Sequence, residues 1–220
     1  MSYFSDFGSQ LIEWWKKEGR RFPWRNTDDP FRIFLAEVLL HRTRAENVAP
    51  IYQNLIENFT SPDQLAGIDE NELRSILSPL GLRWRIDKLL VSIRMMVSNF
   101  DGRVPMGRAQ LLSLPGVGDY IASATRVFTL NSDDPLIDTN TVRVISRVYG
   151  FKVTESTRRK KAVRYKYSTL RNNSDPRTFG FSMIDLASLI CRSHLPDCRR
   201  CPVLKFCSTG RAILSFTLHQ

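Results

Sequence analysis

Residues 111–128 read LLSLPGVGDYIASATRVF, and the turn at their centre decides how the chain folds. A helical run ends at Leu114-Pro115, Gly116-Val117-Gly118 turns the chain sharply, and a second helix of small and apolar residues follows. Two glycines one residue apart permit positive φ and leave backbone N–H groups uncovered. Those donors stand at the N-terminus of the following helix, where the dipole favours an anion. A lone GxG would suit an ordinary helix–helix turn. The full LPGVG string is far more specific, and it marks Leu114, Gly116, Val117 and Gly118 as a candidate anion grip.

Helical periodicity extends outward from this turn in both directions. Asp29-Pro30 opens FRIFLAEVLL with a capping residue and a proline at the first helical position. Ser61-Pro62-Asp63-Gln64 resembles a capping box. Amphipathic patterns recur at 70–80, 85–99, 106–113, 119–130, 140–149, 158–172 and 179–192. FKVTEST (151–157) is β-prone but short and isolated. The pattern predicts an all-α protein of roughly ten helices with short connections. The N-terminal helix, SDFGSQLIEWWKKEG, presents Leu11, Trp14 and Trp15, which need a partner surface.

Charge divides the chain. Residues 1–138 hold 16 Lys/Arg against 18 Asp/Glu, whereas residues 139–220 hold 16 against 4, so the whole net charge of +10 originates in the last third. Such a distribution fits a footprint for a polyanion, and equally a basic surface kept for solubility. The break predicts a helical bundle over 28–138 and a second, discontinuous domain made of 1–27 with the basic 139–220. No eighteen-residue apolar run offers a membrane span, and the N-terminus lacks a signal-peptide pattern, which predicts a cytoplasmic protein.

All four cysteines lie in CRSHLPDCRRCPVLKFC (191–207), at Cys191, Cys198, Cys201 and Cys207. In a reducing compartment, clustered cysteines hold metal more often than they form disulfides. By spacing alone they suit structural zinc, with His194 as a spare ligand, as well as an iron–sulfur centre. Twenty residues beyond the LPGVG turn, Asp138 precedes the apolar helix TNTVRVISRVYG. It reads as an N-cap, and a carboxylate at a helix N-terminus stays ionised at neutral pH. Glu37 lies in the otherwise apolar run LAEVLL. A carboxyl in such surroundings is costly unless paired and tends to remain protonated.

LPGVG, the Asp about twenty residues on and C-x6-C-x2-C-x5-C together resemble the helix-hairpin-helix DNA glycosylase superfamily, in its iron–sulfur branch with endonuclease III. The resemblance covers nearly the whole chain. It implies a two-domain fold, a helical barrel domain plus an iron–sulfur domain, with Cys191, Cys198, Cys201 and Cys207 ligating a 4Fe–4S cluster. It further implies a hairpin that grips a DNA phosphate without reading sequence. Asp138 would stabilise the oxocarbenium-like sugar as the base departs.

In bifunctional members a lysine stands two residues beyond the second hairpin glycine. Here that residue is Tyr120, which predicts a monofunctional enzyme that leaves the strand intact. The same Tyr in GVGDYIA is similar to the archaeal-type mismatch thymine glycosylases. The segment PWR…DP…EVLL…T resembles both that group and the adenine glycosylases, and in both the matching Glu, here Glu37, helps protonate or bind the leaving base. A neutral Glu37 and an ionised Asp138 would divide the roles as carboxylates do in glycoside hydrolysis. The sequence runs about a dozen residues beyond Cys207, which predicts no room for the C-terminal domain of adenine glycosylases. The resemblance therefore implies removal of thymine or uracil mispaired with guanine, by a monomer acting on double-stranded DNA.

His41, Arg42 and Arg44 are expected to enter the DNA or to hold the opposite guanine. Two departures stand out. Asp119 occupies a hairpin position that is often basic in relatives. GLRWRIDKL (81–89) departs from the commoner GLxxxRA, so Arg83, Trp84 and Arg85 are expected to contact the opposite strand.

Overall fold

The computed structural model describes residues 3–81 and 83–217. In chain order its helices are α1 (Phe7–Glu18), α2 (Pro30–Leu40), α3 (Ala45–Asn58), α4 (Pro62–Ala66), α5 (Glu70–Leu77) and α6 (Arg83–Asn99). There follow α7 (Arg108–Ser113), α8 (Asp119–Leu130), α9 (Thr139–Tyr149), α10 (Lys161–Arg171), α11 (Pro176–Asp185) and α12 (Ser208–Thr217). No strand occurs among the described residues, and FKVTEST forms a loop with a short 3₁₀ turn. None of the described helices is long and apolar enough to cross a membrane.

The caps anticipated from sequence set where helices begin. The Asp29 side chain accepts from Arg32 N at 2.8 Å, with Pro30 in the first turn. Such a cap stabilises a helix by about 1 kcal/mol. Ser61 accepts from Gln64 N, and Gln64 Oε1 accepts from Thr60 N at 2.7 Å, one residue ahead of the N-cap N–H used in a standard box. Helix α3 contains Pro50, whose missing N–H removes one rung of the ladder. Val48, Tyr52 and Leu55, fully buried at helical spacing, hold it in place.

The chain divides into two compact units. One spans 21–132; the other joins the N-terminal segment to 20 with residues from 133 onward. In the first, α2 packs against α3 and α8, α4 against α6, and α7 against α8. Its core includes Phe34, Leu35, Tyr52, Leu73, Ile93, Leu111 and Ala122. In the second, α1 packs on α10 and α11, and α9 on α10, α11 and α12. Phe7 and Tyr167 meet the Phe179 ring edge-on, with centroids 6.5 and 5.3 Å away. The N-terminal segment is also tied by polar contacts. Buried Asp185 accepts from Trp15 Nε1 at 2.9 Å, Arg20 N at 2.9 Å and Arg20 Nε at 2.7 Å.

The unit boundaries fall at 20/21 and 132/133, ahead of the charge break. The reason is local. Asp133 pairs with Arg171 at 2.5 Å and Leu136 is fully buried, so the strand of chain leading into α9 travels with α9. Asp138 accordingly belongs to the second unit.

Candidate active site

The hairpin lies in the unit 21–132. Leu114 caps α7, and Val117 N donates to Leu114 O at 3.1 Å to close the turn. Gly116 has φ of +83°, a conformation that L side chains rarely adopt. Gly118 is extended and caps α8, and a Cβ there would meet nothing within 4 Å. Both glycines are exposed, so backbone can approach backbone here. The Leu114 and Val117 side chains are only 2% and 8% exposed and belong to the core. Asp119, the acid at the hairpin, does not stand alone: Arg108 Nη2 pairs with its Oδ1 at 2.6 Å, and Arg108 Nη1 donates to Ser123 Oγ at 2.9 Å. The guanidinium offsets the carboxylate at the mouth of the turn.

Tyr120 occupies the first turn of α8, half-buried against the core. Glu37 sits on α2, which packs against α8, and is 5% exposed between Ala36 and Val38. His41 caps α2 and is half-buried; burial first, then Arg42, Arg85 and Lys88, hold its imidazole below the usual value. Arg42 is exposed with φ of +62°, and exposed Arg44 caps α3.

Arg85, read from the sequence as a DNA contact, is 4% exposed and turned inward. Its Nη1 donates to Leu39 O at 2.8 Å, His41 O at 2.6 Å and Thr43 Oγ1 at 3.0 Å. The two carbonyls are groups that the end of α2 leaves without helical partners. A guanidinium engaged in this way supports the 41–44 turn from behind and is not available to a phosphate. The Arg83 side chain lies outside the described residues.

In the second unit, Asp138 caps α9 in a complete capping box. Its Oδ1 accepts from Thr141 N at 2.7 Å, while Thr141 Oγ1 accepts from Asp138 N at 2.9 Å. The other oxygen, Oδ2, accepts from Asn140 Nδ2 at 3.0 Å. Asn140 Oδ1 in turn accepts from Arg143 Nη1 at 3.0 Å. Arg143 continues to the cysteine loop, donating from Nε to Cys191 O and from Nη2 to Ala187 O, both at 2.9 Å. Burial pulls Arg143 below the ordinary guanidinium value, and Cys191 and Asp138 work against that pull. Asn140 and Arg143 were not singled out from the sequence. Their i, i+3 spacing beside a capping Asp was the available signal, but it does not reveal which way the arginine turns.

The four cysteines are half-buried and form no disulfide. Helix α11 ends in a π turn over Leu186–Ile190 that delivers Cys191 to the loop. Arg147 Nη1 donates to Cys191 Sγ at 3.4 Å and Gly210 N to Cys207 Sγ at 3.2 Å. Burial raises the Cys198 and Cys207 thiols and pushes Cys201 up to about 12, with the neighbouring cysteines adding to each shift. Among the described residues, no three His, Cys, Asp or Glu side chains are drawn together closely enough to hold a metal ion. Two of the four sulfurs receive N–H donors of the kind that stabilise thiolates, the chemistry that a four-thiolate group would need.

The chain's similarities follow the same lines. The family described as HhH-GPD superfamily base excision DNA repair protein matches residues 35–167. Over 205 residues the chain is 36% identical to a thymine-DNA glycosylase of Aeropyrum pernix, covering 90% of this chain and 91% of that protein. A thymine/uracil-DNA glycosylase of Pyrobaculum aerophilum is 33% identical over 207 residues, covering 91% of this chain and 89% of the other. Among solved structures, a thermostable thymine-DNA glycosylase superposes with a TM-score of 0.85 at 30% identity, over 95% of this chain and 97% of that one.

Proposed function

Since the chain belongs to the HhH-GPD superfamily of base excision DNA repair proteins, we propose that it is a monofunctional DNA glycosylase removing thymine or uracil mispaired with guanine. It acts as a monomer on duplex DNA. The observation that carries this reading is the Asp138 carboxylate, fixed at the N-terminus of α9 with a hydrogen bond to each oxygen. A fixed anion is what a departing base requires. The C1′–N bond breaks with its electron pair going to the base, the deoxyribose becomes cationic, and the anion stabilises that cation until water adds at C1′. The proton that water loses passes to solvent.

The leaving base must gain a proton or a hydrogen bond. Buried Glu37 is the acid for this role, and Tyr120 holds the base. Tyr120 also supplies no amine, so no Schiff base forms at that position and the strand stays whole. The mispair lowers the cost of extrusion, because a wobble pair gives up its base more readily than a matched one. The hairpin binds phosphate through the exposed turn at Gly116–Gly118. Cys191, Cys198, Cys201 and Cys207 are the residues that would hold a 4Fe–4S cluster, which when bound supplies rigidity to the 191–207 loop.

Duplexes carrying T·G, U·G, A·G and A·8-oxoguanine test the reading. Release of thymine or uracil without strand cleavage is expected, and release of adenine alone overturns it. Asp138→Asn should keep its cap and its DNA affinity while losing roughly 100-fold or more in base release.

A further inference from the structure

Helix α6 runs past the hairpin with Trp84, Lys88 and Ser92 one turn apart on a single face. Each meets a feature of that corner. Ser92 Oγ donates to Pro115 O at 2.8 Å and so fastens the turn to the helix. Lys88 lies along Gly116: a Cβ placed on that glycine would stand 3.1 Å from Lys88 Cβ and 3.2 Å from its Cδ. Trp84, 38% exposed, carries the Lys88 ammonium 5.1 Å from its ring centroid and has the His41 ring edge-on at 5.8 Å. Together with Pro115 and Gly116 these residues line a small pocket beside the turn.

The ammonium has no carboxylate partner among the described residues. Nearby acids are already engaged, Asp87 by Arg74 and Asp119 by Arg108. Its resting contact is the Trp84 ring, and at an exposed site such a pair contributes only about 0.5–1 kcal/mol. A phosphate oxygen is a stronger partner than a ring face. The neighbourhood is also cationic: the field of Arg42, Arg85 and Lys88 adds to burial in depressing His41. The stem of an exposed, loosely perched cation thus lies against the glycine that lets the hairpin approach an anion.

We infer that Lys88 is a phosphate-binding residue of the hairpin site, held ready on Trp84 in the free protein and transferred to a DNA backbone phosphate on binding. Gly116 then serves two ends, the left-handed turn and the groove in which the lysine stem lies. The inference rests on the DNA reading above but concerns binding, not base release.

Its test is a salt titration. Affinities of wild type, Lys88→Ala and Lys88→Arg for an undamaged duplex and for a T·G duplex are measured by fluorescence anisotropy over a KCl series. Lys88→Ala should weaken both duplexes about equally, roughly 3- to 10-fold at low salt, and reduce the log–log salt slope by about one. Lys88→Arg should restore the slope. An unchanged slope in Lys88→Ala, or a loss confined to the T·G duplex, overturns the assignment. A wild type without salt-dependent duplex binding would instead sink the proposed function itself, so the two failures are distinguishable.

Discussion

Asp138 carries two functions in one side chain: it starts α9, and it presents a charge. The cap uses Oδ1, through Thr141 N. The orientation of Oδ2 depends on Asn140, whose own amide is held by Arg143. Asn140 is exposed, so removing its side chain should cost the fold little. Removing a hydrogen bond to a charged group, however, costs about 1.5–3 kcal/mol where the charge must be held in place. Asn140→Ala should therefore lower single-turnover base release by roughly 10-fold or more. Duplex affinity, measured in parallel, should stay at the wild-type value. Release at the wild-type rate would show that Thr141 alone orients the carboxylate. Arg143→Lys provides the complementary variant, since a lysine cannot bridge Asn140 and two loop carbonyls at once.

Arg85 acts on an element. It closes the C-terminal end of α2 and the turn that displays His41, Arg42 and Arg44, using carbonyls at 39 and 41 and the Thr43 hydroxyl. Arg85→Ala would leave several of those acceptors buried and unsatisfied, a loss on the order of 3 kcal/mol that equilibrium urea unfolding would register. If Arg85 instead served DNA, the variant would lose affinity and keep its stability. The sequence displayed the charge of Arg85 but not its direction, because GLRWRIDKL carries three cations on less than three helical turns and only packing decides which one turns inward. Elsewhere local chemistry was decisive. Asp29-Pro30, Ser61 and Asp138 cap helices as their residue types require, and LPGVG forms its turn. Helix α3 was hidden by Pro50, whose local penalty is overcome by the burial of Val48, Tyr52 and Leu55. FKVTEST shows the reverse case: β propensity without a partner strand yields a loop.

The whole molecule is asymmetric in charge, and the excess in residues 139–220 is not all displayed to solvent. Arg143 and Arg147 turn toward the cysteine loop and together donate to the carbonyls of Ala187, Cys191, Arg192 and Ser193. Two helical cations thus take up loop carbonyls that would otherwise need water, and the loop is joined to the same helix that begins at Asp138. Burial holds three of the thiols toward the protonated form, Cys201 most of all. A bound metal centre would have to displace those protons, and its binding free energy would then become folding free energy for the surrounding unit. With a 4Fe–4S cluster in place, the wild-type protein should be brown and carry roughly four irons per chain. Cys201→Ser should lose colour and iron together. Because the chain forms two compact units, the damage should also be confined. Amide hydrogen exchange should quicken across 186–210 and at the C-terminal turns of α9, while the amides of α2, α6 and α8 in the unit 21–132 keep their protection. A colourless wild type with one zinc would replace the cluster while leaving the four-thiolate site intact. A Cys201→Ser protein with unchanged exchange would show that the loop is held by Arg143 and Arg147 alone.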